Sequence, residues 1–319
     1  MTEPRCSIVI PTKNAIKTIR PVLQAVVEQE YPAGFETLVI DSGSKDGTLE
    51  AVAQYPVRVM QIPPSEFNHG GTRNLGVSKT GGEFIAFLTH DARPASSHWL
   101  ASLVAPFDLD STVAGCFGRH LPSPGCDPID ARNLERHFAN FGTDVSIVRI
   151  TSEADYEARQ GWYDFFSNNN SALRRSVWVK HPFPVTAMAE DQRWAQTILR
   201  AGFAKAYVPD AEVYHSHSYR AREWFRRWYD EFVVYHDLEN PGQMRSLVRA
   251  LGHVARSSKD DVRYLRQVFP PGWSRIRAQG RAVKNNLARG SGAYLGSNYE
   301  RIPAPLRGRL SMQQSLIRR

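Results

Sequence analysis

A series of short, continuous apolar runs constrains this chain more than any other feature. The first is Ser7-Ile-Val-Ile10, ended by Pro11, and Thr37-Leu-Val-Ile40 and Phe84-Ile-Ala-Phe-Leu88 follow; Val57 to Ile62 and Val208 to Tyr214, broken by polar residues, also read as strands. The first run is β-branched and does not alternate with polar residues, so it fits a strand buried on both faces of a parallel sheet. Between the strands the periodicity changes. Ile16, Ile19, Leu23 and Val26 recur at three- and four-residue steps, which predicts a helix stopping before Tyr31-Pro32. Further helices are expected from about Thr48, over Asp130 to Phe141, and from Glu190-Asp191 through Trp194, Ile198 and Leu199 to the stop at Gly202. Parallel strands need crossovers, so this order predicts an α/β fold: a mostly parallel central sheet with helices on both faces.

Ligands of such sheets bind beyond the carboxyl ends of the strands. The residues there are Thr12 and Asn14, Asp41 and Asp46, His90 and Asp91, and His215-Ser-His217. No G-x-G-x-x-G follows Ile10 and no phosphate loop is present, which argues against a dinucleotide-dependent dehydrogenase or a P-loop enzyme. Asp41 either accepts hydrogen bonds from a pyrimidine or ribose, or joins Asp46 in shaping the turn through Asx bonds. Asp91 is placed either to hold Mg²⁺ or Mn²⁺ against a diphosphate, or to accept bonds in the loop ahead of Pro94. Glu190-Asp191 would complement a helix dipole, or supply the base that takes a proton from an attacking hydroxyl. Strand alternation puts His215 and His217 on one face, suited to a metal or a phosphate, unless they merely cap core or surface.

The formal charge of +8 is unevenly placed: residues 1–219 hold 20 Lys+Arg against 24 Asp+Glu, and residues 220–319 hold 20 against 8. A polyanionic partner for the C-terminal third follows, nucleic acid or an anionic membrane surface. Strand-end acids would repel a phosphate backbone, so a nucleic-acid-binding protein leaves them unexplained and no nucleic-acid partner is expected. Trp224, Phe225, Trp228, Phe232 and Tyr235 repeat at helical spacing among Arg222, Arg226 and Arg227. This stripe either lies on the inner membrane or packs on the catalytic domain or a second subunit of a homo-oligomer. No run approaches the roughly 18 apolar residues of a membrane span and the N-terminus opens on polar residues, so a cytoplasmic chain, peripheral to the membrane at most, is expected. Cys6, Cys116 and Cys126 lack metal-site spacing and are expected to be free thiols.

Ser7-Ile-Val-Ile-Pro-Thr-Lys-Asn14, Val39-Ile-Asp-Ser-Gly-Ser-Lys-Asp-Gly-Thr48 and Phe84-Ile-Ala-Phe-Leu-Thr-His-Asp91 together resemble the inverting family 2 glycosyltransferases of the GT-A fold, over roughly residues 5–219. Phe67-Asn-His-Gly-Gly-Thr-Arg-Asn-Leu-Gly76 is similar to a segment of bacterial rhamnosyltransferases that use dTDP-L-rhamnose. The resemblance implies a GT-A catalytic domain at 1–219 and a basic, mainly helical region at 220–319. It implies Thr12, Asn14, Asp41, Asp46, Arg73 and His90 at the nucleotide-sugar and Asp191 as general base. It further implies Asn168, Asn169, Asn170 and Glu190 around the sugar and acceptor, and Asp91 with His215 or His217 on Mg²⁺ or Mn²⁺. Thr89-His90-Asp91 departs from the family's Asp-x-Asp by lacking the first carboxylate. The implied reaction moves L-rhamnose, or in the alternative a sugar carried by UDP or GDP, to a hydroxyl of a saccharide or lipid-linked saccharide in surface polysaccharide synthesis.

Overall fold

The central apolar runs fold as strands because successive side chains serve two different cores. In the computed structural model, which describes residues 4–237 and 244–312, the strands are β1 Cys6–Thr12, β2 Phe35–Asp41, β3 Arg58–Gln61, β4 Phe84–Leu88, β5 Arg93–Pro94, β6 Val113–Leu121, β7 Ser146–Val148, β8 Asn170–Arg174 and β9 Ala204–Tyr214. Residues 238–243 and 313–319 of the expected C-terminal region lie outside the described residues. On β1, Cys6, Ile8 and Ile10 enter one buried cluster with Ile19, Val22, Leu23 and Val26 of the helix Ile19–Val27. Val9 enters a second cluster, with Ile40, Val77, Phe87 and Trp194. Both faces of the strand are therefore dry, and at about 25 cal/mol per Å² of apolar surface such double burial is the main favourable term available to the sheet.

The strand order is β3-β2-β1-β4-β8-β6-β9-β5, with β7 also on β9. Neighbours from β3 to β4 are parallel, as are β6 and β9; β8 runs antiparallel to both β4 and β6, which leaves those two pointing the same way. The carboxyl ends of β1, β2, β4, β6 and β9 consequently lie along one edge of the sheet. The sequence did not announce β6, β7 or β8. Gly115, Gly118 and Arg119 interrupt the apolar pattern of β6, and β8 opens on Asn170-Ser171.

The chain divides into two compact units, residues 1–124 with 133–216, and residues 125–132 with 217–319. The first holds the sheet. In the second, the helices Ala221–Asp237, Leu247–Val268 and Trp273–Ser297 pack through small residues. A Cβ on Gly292 would stand 2.3 Å from Phe225 O, and one on Gly290 2.3 Å from Val254 Cγ2. The helix Ala221–Asp237 enters this packing in part: the Arg289 guanidinium lies 3.7 Å over Trp224, and Tyr229, Phe232 and Val233 are buried, while Trp224, Phe225, Trp228 and Tyr235 are half-buried.

Gly118 sets a steric limit on the sheet, since a Cβ there would stand 2.0 Å from Ala211 O and 2.4 Å from Asn170 Nδ2. Backbone cannot yield as a flexible side chain does, so Gly118→Ala is expected to cost about 3 kcal/mol. Urea unfolding with an unchanged midpoint would contradict this account.

Candidate functional site

The loops after β1 and β2 are laced into one another at the sheet's carboxyl edge. Thr12 and Asp41 end their strands in register. Asp41 is fully buried, and its Oδ1 accepts the N–H groups of Gly43 and Ser44, each at 2.9 Å, while the Ser44 hydroxyl donates to Oδ2. Asn14 adopts φ +48°; its N–H donates to Ser44 Oγ at 2.7 Å and its Oδ1 accepts Lys45 N–H at 3.0 Å. Asp46 accepts from Ile16 N–H and from Thr48, and those bonds, the Thr48 hydroxyl's above all, hold its carboxyl below the usual range. The structure thus brings Thr12, Asn14, Asp41 and Asp46 together. Asx bonding organises the loop, with three donors on the Asp41 carboxylate. His90 lies apart from this lacing, its Nδ1 3.2 Å from Thr18 Oγ1.

A second cluster forms where the helix His69–Ser78 meets the helix Glu190–Arg200. Gly70 permits the approach, for a Cβ there would stand 2.2 Å from Pro184 O. Asn68 Nδ2 donates to Thr186 O at 2.8 Å, and Asn74 both donates to Phe183 O at 2.8 Å and accepts from Trp178 Nε1 at 2.8 Å. The Phe67–Gly76 segment therefore grips the stretch from Trp178 to Thr186. Arg73, expected at the nucleotide-sugar, is buried, and its guanidinium donates to Glu190 Oε1 at 2.9 Å. Asn168 Nδ2 donates to the same oxygen at 3.2 Å, and Asn168 N–H donates to Asp191 Oδ2 at 3.1 Å.

Asp191 retains contact with solvent, yet protein surrounds its carboxylate closely. Burial first, and the neighbouring charge of Glu190 second, push it from 3.8 up to about 7, against the Asn168 N–H and the charge of Arg73. Ala189 just before it takes a left-handed φ of +57°. Non-glycine residues pay about 1 kcal/mol or more there, so the surrounding contacts must impose this entry to the helix.

Asp91 and His215 meet through a strand pairing: β5 runs antiparallel to β9 with Arg93 opposite Tyr214. That register sets the carboxylate two residues before β5 beside the imidazole one residue after β9. Asp91 Oδ1 is 3.7 Å from His215 Nε2, and the ligand atoms of Asp91, His215 and His217 lie within 4.8 Å of one another. His215 N–H donates to Leu121 O at 3.0 Å and its ring meets His120 edge-on, which fixes its orientation. One carboxylate with two imidazoles at this spacing fits a divalent cation after sub-ångström closure.

Asn168 is buried behind Glu190 and Asp191, and Asn169 is half-buried. Asn170 departs from its expected place in the pocket: it is fully buried, accepts from Trp99 Nε1 at 2.8 Å and donates to Ala211 O at 2.7 Å and Arg119 O at 3.2 Å. It ties β8 to β6 and β9. Sequence reasoning missed Lys205, on β9, whose buried ammonium donates to Trp162 O at 3.0 Å and to the carbonyls of Tyr163 and Phe165, holding the segment that leads to Asn168. Burial pulls this ammonium down to about 7. A lone lysine inside the apolar stretch Ala204-Lys-Ala-Tyr-Val208 was the available signal.

The family described as Glycosyl transferase family 2 matches residues 7–179. The chain is 36% identical over 317 residues to the O-antigen chain rhamnosyltransferase RfbN of Salmonella typhimurium, covering 98% of this chain and 95% of that protein. It is 32% identical over 317 residues, with the same coverages of 98% and 95%, to the O-antigen chain rhamnosyltransferase WbaN of Salmonella anatum. Among solved structures, the mannosyltransferase PcManGT from Pyrobaculum calidifontis in complex with GDP-Man and Mn²⁺ superposes with TM-score 0.60 at 18% identity, over 95% of this chain and 89% of that one. S. aureus TarS 1–349 in complex with UDP-GlcNAc does so with TM-score 0.53 at 16% identity, over 93% and 91%. At such identities the two structures speak for the fold, which is GT-A.

Two outcomes follow from this electrostatic arrangement. Native protein holds the Asp191 proton more tightly than unfolded protein, so its contribution to stability is full below about pH 4 and is lost as pH rises to about 7. Asp191→Asn removes that loss, and its melting temperature relative to the parent should rise across this window and level off above it; a pH-independent difference would refute the raised carboxyl. Arg73→Met strands the Glu190 charge and is expected to cost about 3–5 kcal/mol, while adding Glu190→Met should recover much of it in a double-mutant cycle.

Proposed function

The chain belongs to glycosyl transferase family 2, and on that premise we propose that it transfers L-rhamnose from dTDP-L-rhamnose, with inversion, to a hydroxyl of a saccharide or lipid-linked saccharide in surface polysaccharide synthesis. The observation that carries the chemistry is Asp191, a carboxylate raised to about 7 and fixed by Asn168 at the carboxyl edge of the sheet. A base poised near the working pH takes a proton most effectively. Asp191 accepts the proton of the acceptor hydroxyl as that oxygen bonds to the anomeric carbon. The bond from that carbon to the diphosphate breaks on the opposite face, and dTDP departs. Thr12, Asn14, Asp41 and Asp46 form the loop that receives base and ribose, with His90 beside the donor and Asn169 and Glu190 bordering the sugar. Asp91, His215 and His217 would hold a divalent metal, Mg²⁺ or Mn²⁺, which when bound neutralises the charge growing on the diphosphate.

Rhamnose as the sugar is supported by the two rhamnosyltransferases that match along nearly the whole chain. A UDP- or GDP-sugar is the second reading, favoured by the GDP-Man and UDP-GlcNAc held by the structural neighbours. Residues 1–219 are proposed to carry catalysis, and the basic residues 220–319 to lie against an anionic membrane surface. Among the described residues no helix is long and apolar enough to cross a membrane.

Release of free nucleotide from dTDP-, UDP- and GDP-sugars, with and without added metal, tests the assignment. Turnover of dTDP-L-rhamnose is expected, falling about 10²–10⁴-fold in Asp191→Asn, and rising with pH through about 7 in the parent as Asp191 deprotonates. Selective use of another donor would remove rhamnose. An unaltered rate in Asp191→Asn with a transferred sugar would remove the base.

A further inference from the structure

The sequence from Val262 to Tyr299 contains no Asp or Glu, while Arg263, Arg266, Arg275, Arg277, Arg281, Lys284 and Arg289 fall within it. Two of these charges are balanced inside the helical unit, Arg281 by Asp127 at 3.3 Å and Arg289 by Asp130. Arg263, Arg266, Arg275, Arg277 and Lys284 make no ion pair with the described residues, and all but the half-buried Arg275 are exposed. Large apolar side chains stand among them: Val268 is 46% exposed, Trp273 77%, Ile276 57% and Leu287 49%. Positions 273, 276, 280, 284 and 287 recur at three- and four-residue steps, so Trp273, Ile276, Lys284 and Leu287 share one stripe of the helix, roughly 21 Å long. The opposite stripe, with Ala278, Ala282, Asn286, Gly290 and Ala293, is the buried one. The helix therefore turns its smallest residues inward and its tryptophan outward, the reverse of an ordinary water-facing helix.

We propose that this outward stripe, with the Phe269-Pro-Pro-Gly272 turn before it, is the surface by which the chain lies on an anionic phospholipid bilayer. The proposal rests on, and extends, the reading of a membrane-facing C-terminal region and a lipid-linked acceptor. Unpaired cations without acids match the charge of such a surface, and Trp, Ile, Leu and Val can enter the boundary between headgroups and acyl chains. A nucleic acid would engage the same cations but gain nothing from Val268, Ile276 and Leu287. The stripe at 224–235, by contrast, is half-buried or buried, with Arg289 over Trp224.

Flotation of the full chain with vesicles of phosphatidylcholine, or of phosphatidylcholine mixed with phosphatidylglycerol, tests this. The parent should float with the anionic vesicles and weakly with the neutral ones. W273E/I276E should bind at least tenfold more weakly, and R275E/R277E about 25-fold or more, taking about fivefold per cation, with donor hydrolysis unchanged in both. Should the first variant lose its fold by circular dichroism, W273A carries the same comparison. Flotation of W273E/I276E or W273A equal to the parent would overturn the proposal, as would duplex DNA capturing the parent while anionic vesicles do not. Vesicle binding as expected with no donor turned over would leave this surface standing and sink the enzymatic reading instead.

Discussion

The Arg73–Glu190 pair is the interaction on which the site depends. Removing two charges from water costs several kcal/mol each unless geometry and further hydrogen bonds compensate. Here the guanidinium also donates to His69 O, and Glu190 accepts from Asn168 as well. The pair therefore ties the helix His69–Ser78, the helix Glu190–Arg200 and the strand entering the sheet at Asn170. Asp191 inherits its position from that knot, and its raised carboxyl from the charge of Glu190 and from burial. Gly70, Asn68 and Asn74 are explained by the same need, since each lets the first helix approach, or hold, the segment before the second.

Strand pairing does for the proposed metal ligands what the ion pair does for the proposed base. Asp91 and His215 lie more than a hundred residues apart in sequence, and the two-residue strand β5 on the end of β9 brings them within 3.7 Å. Asp91 and the two histidines would offer a cation one carboxylate and two imidazoles.

The role proposed for Asp191 runs against stability. A carboxylate that prefers its proton near neutral pH destabilises the native state as it ionises, and Ala189 adds a left-handed residue beside it. The cost is tolerable because the strands beneath are buried on both faces by two separate cores. Lys205 contributes from behind, holding the carbonyls of residues 162–165 and so the approach to Asn168.

The sequence by itself determined the α/β architecture, the strand-end positions of Thr12, Asp41, Asp91 and His215, and the acidic pair at a helix start, because period and burial are local properties that neighbouring residues reveal. It could not reveal β6 and β8, whose glycines and asparagines are explained only by what crosses them: Ala211 O against Gly118, and Trp99 on Asn170. Nor could it show that Arg73 pairs with Glu190 or that Asn170 ties β8 to β6 and β9. Both side chains have chemistry suited to a ligand or to the interior, and the choice belongs to partners distant in the chain, Glu190 for Arg73 and Trp99 for Asn170. Only the tertiary structure supplies them, because a buried polar or charged group takes its meaning from whatever neutralises it.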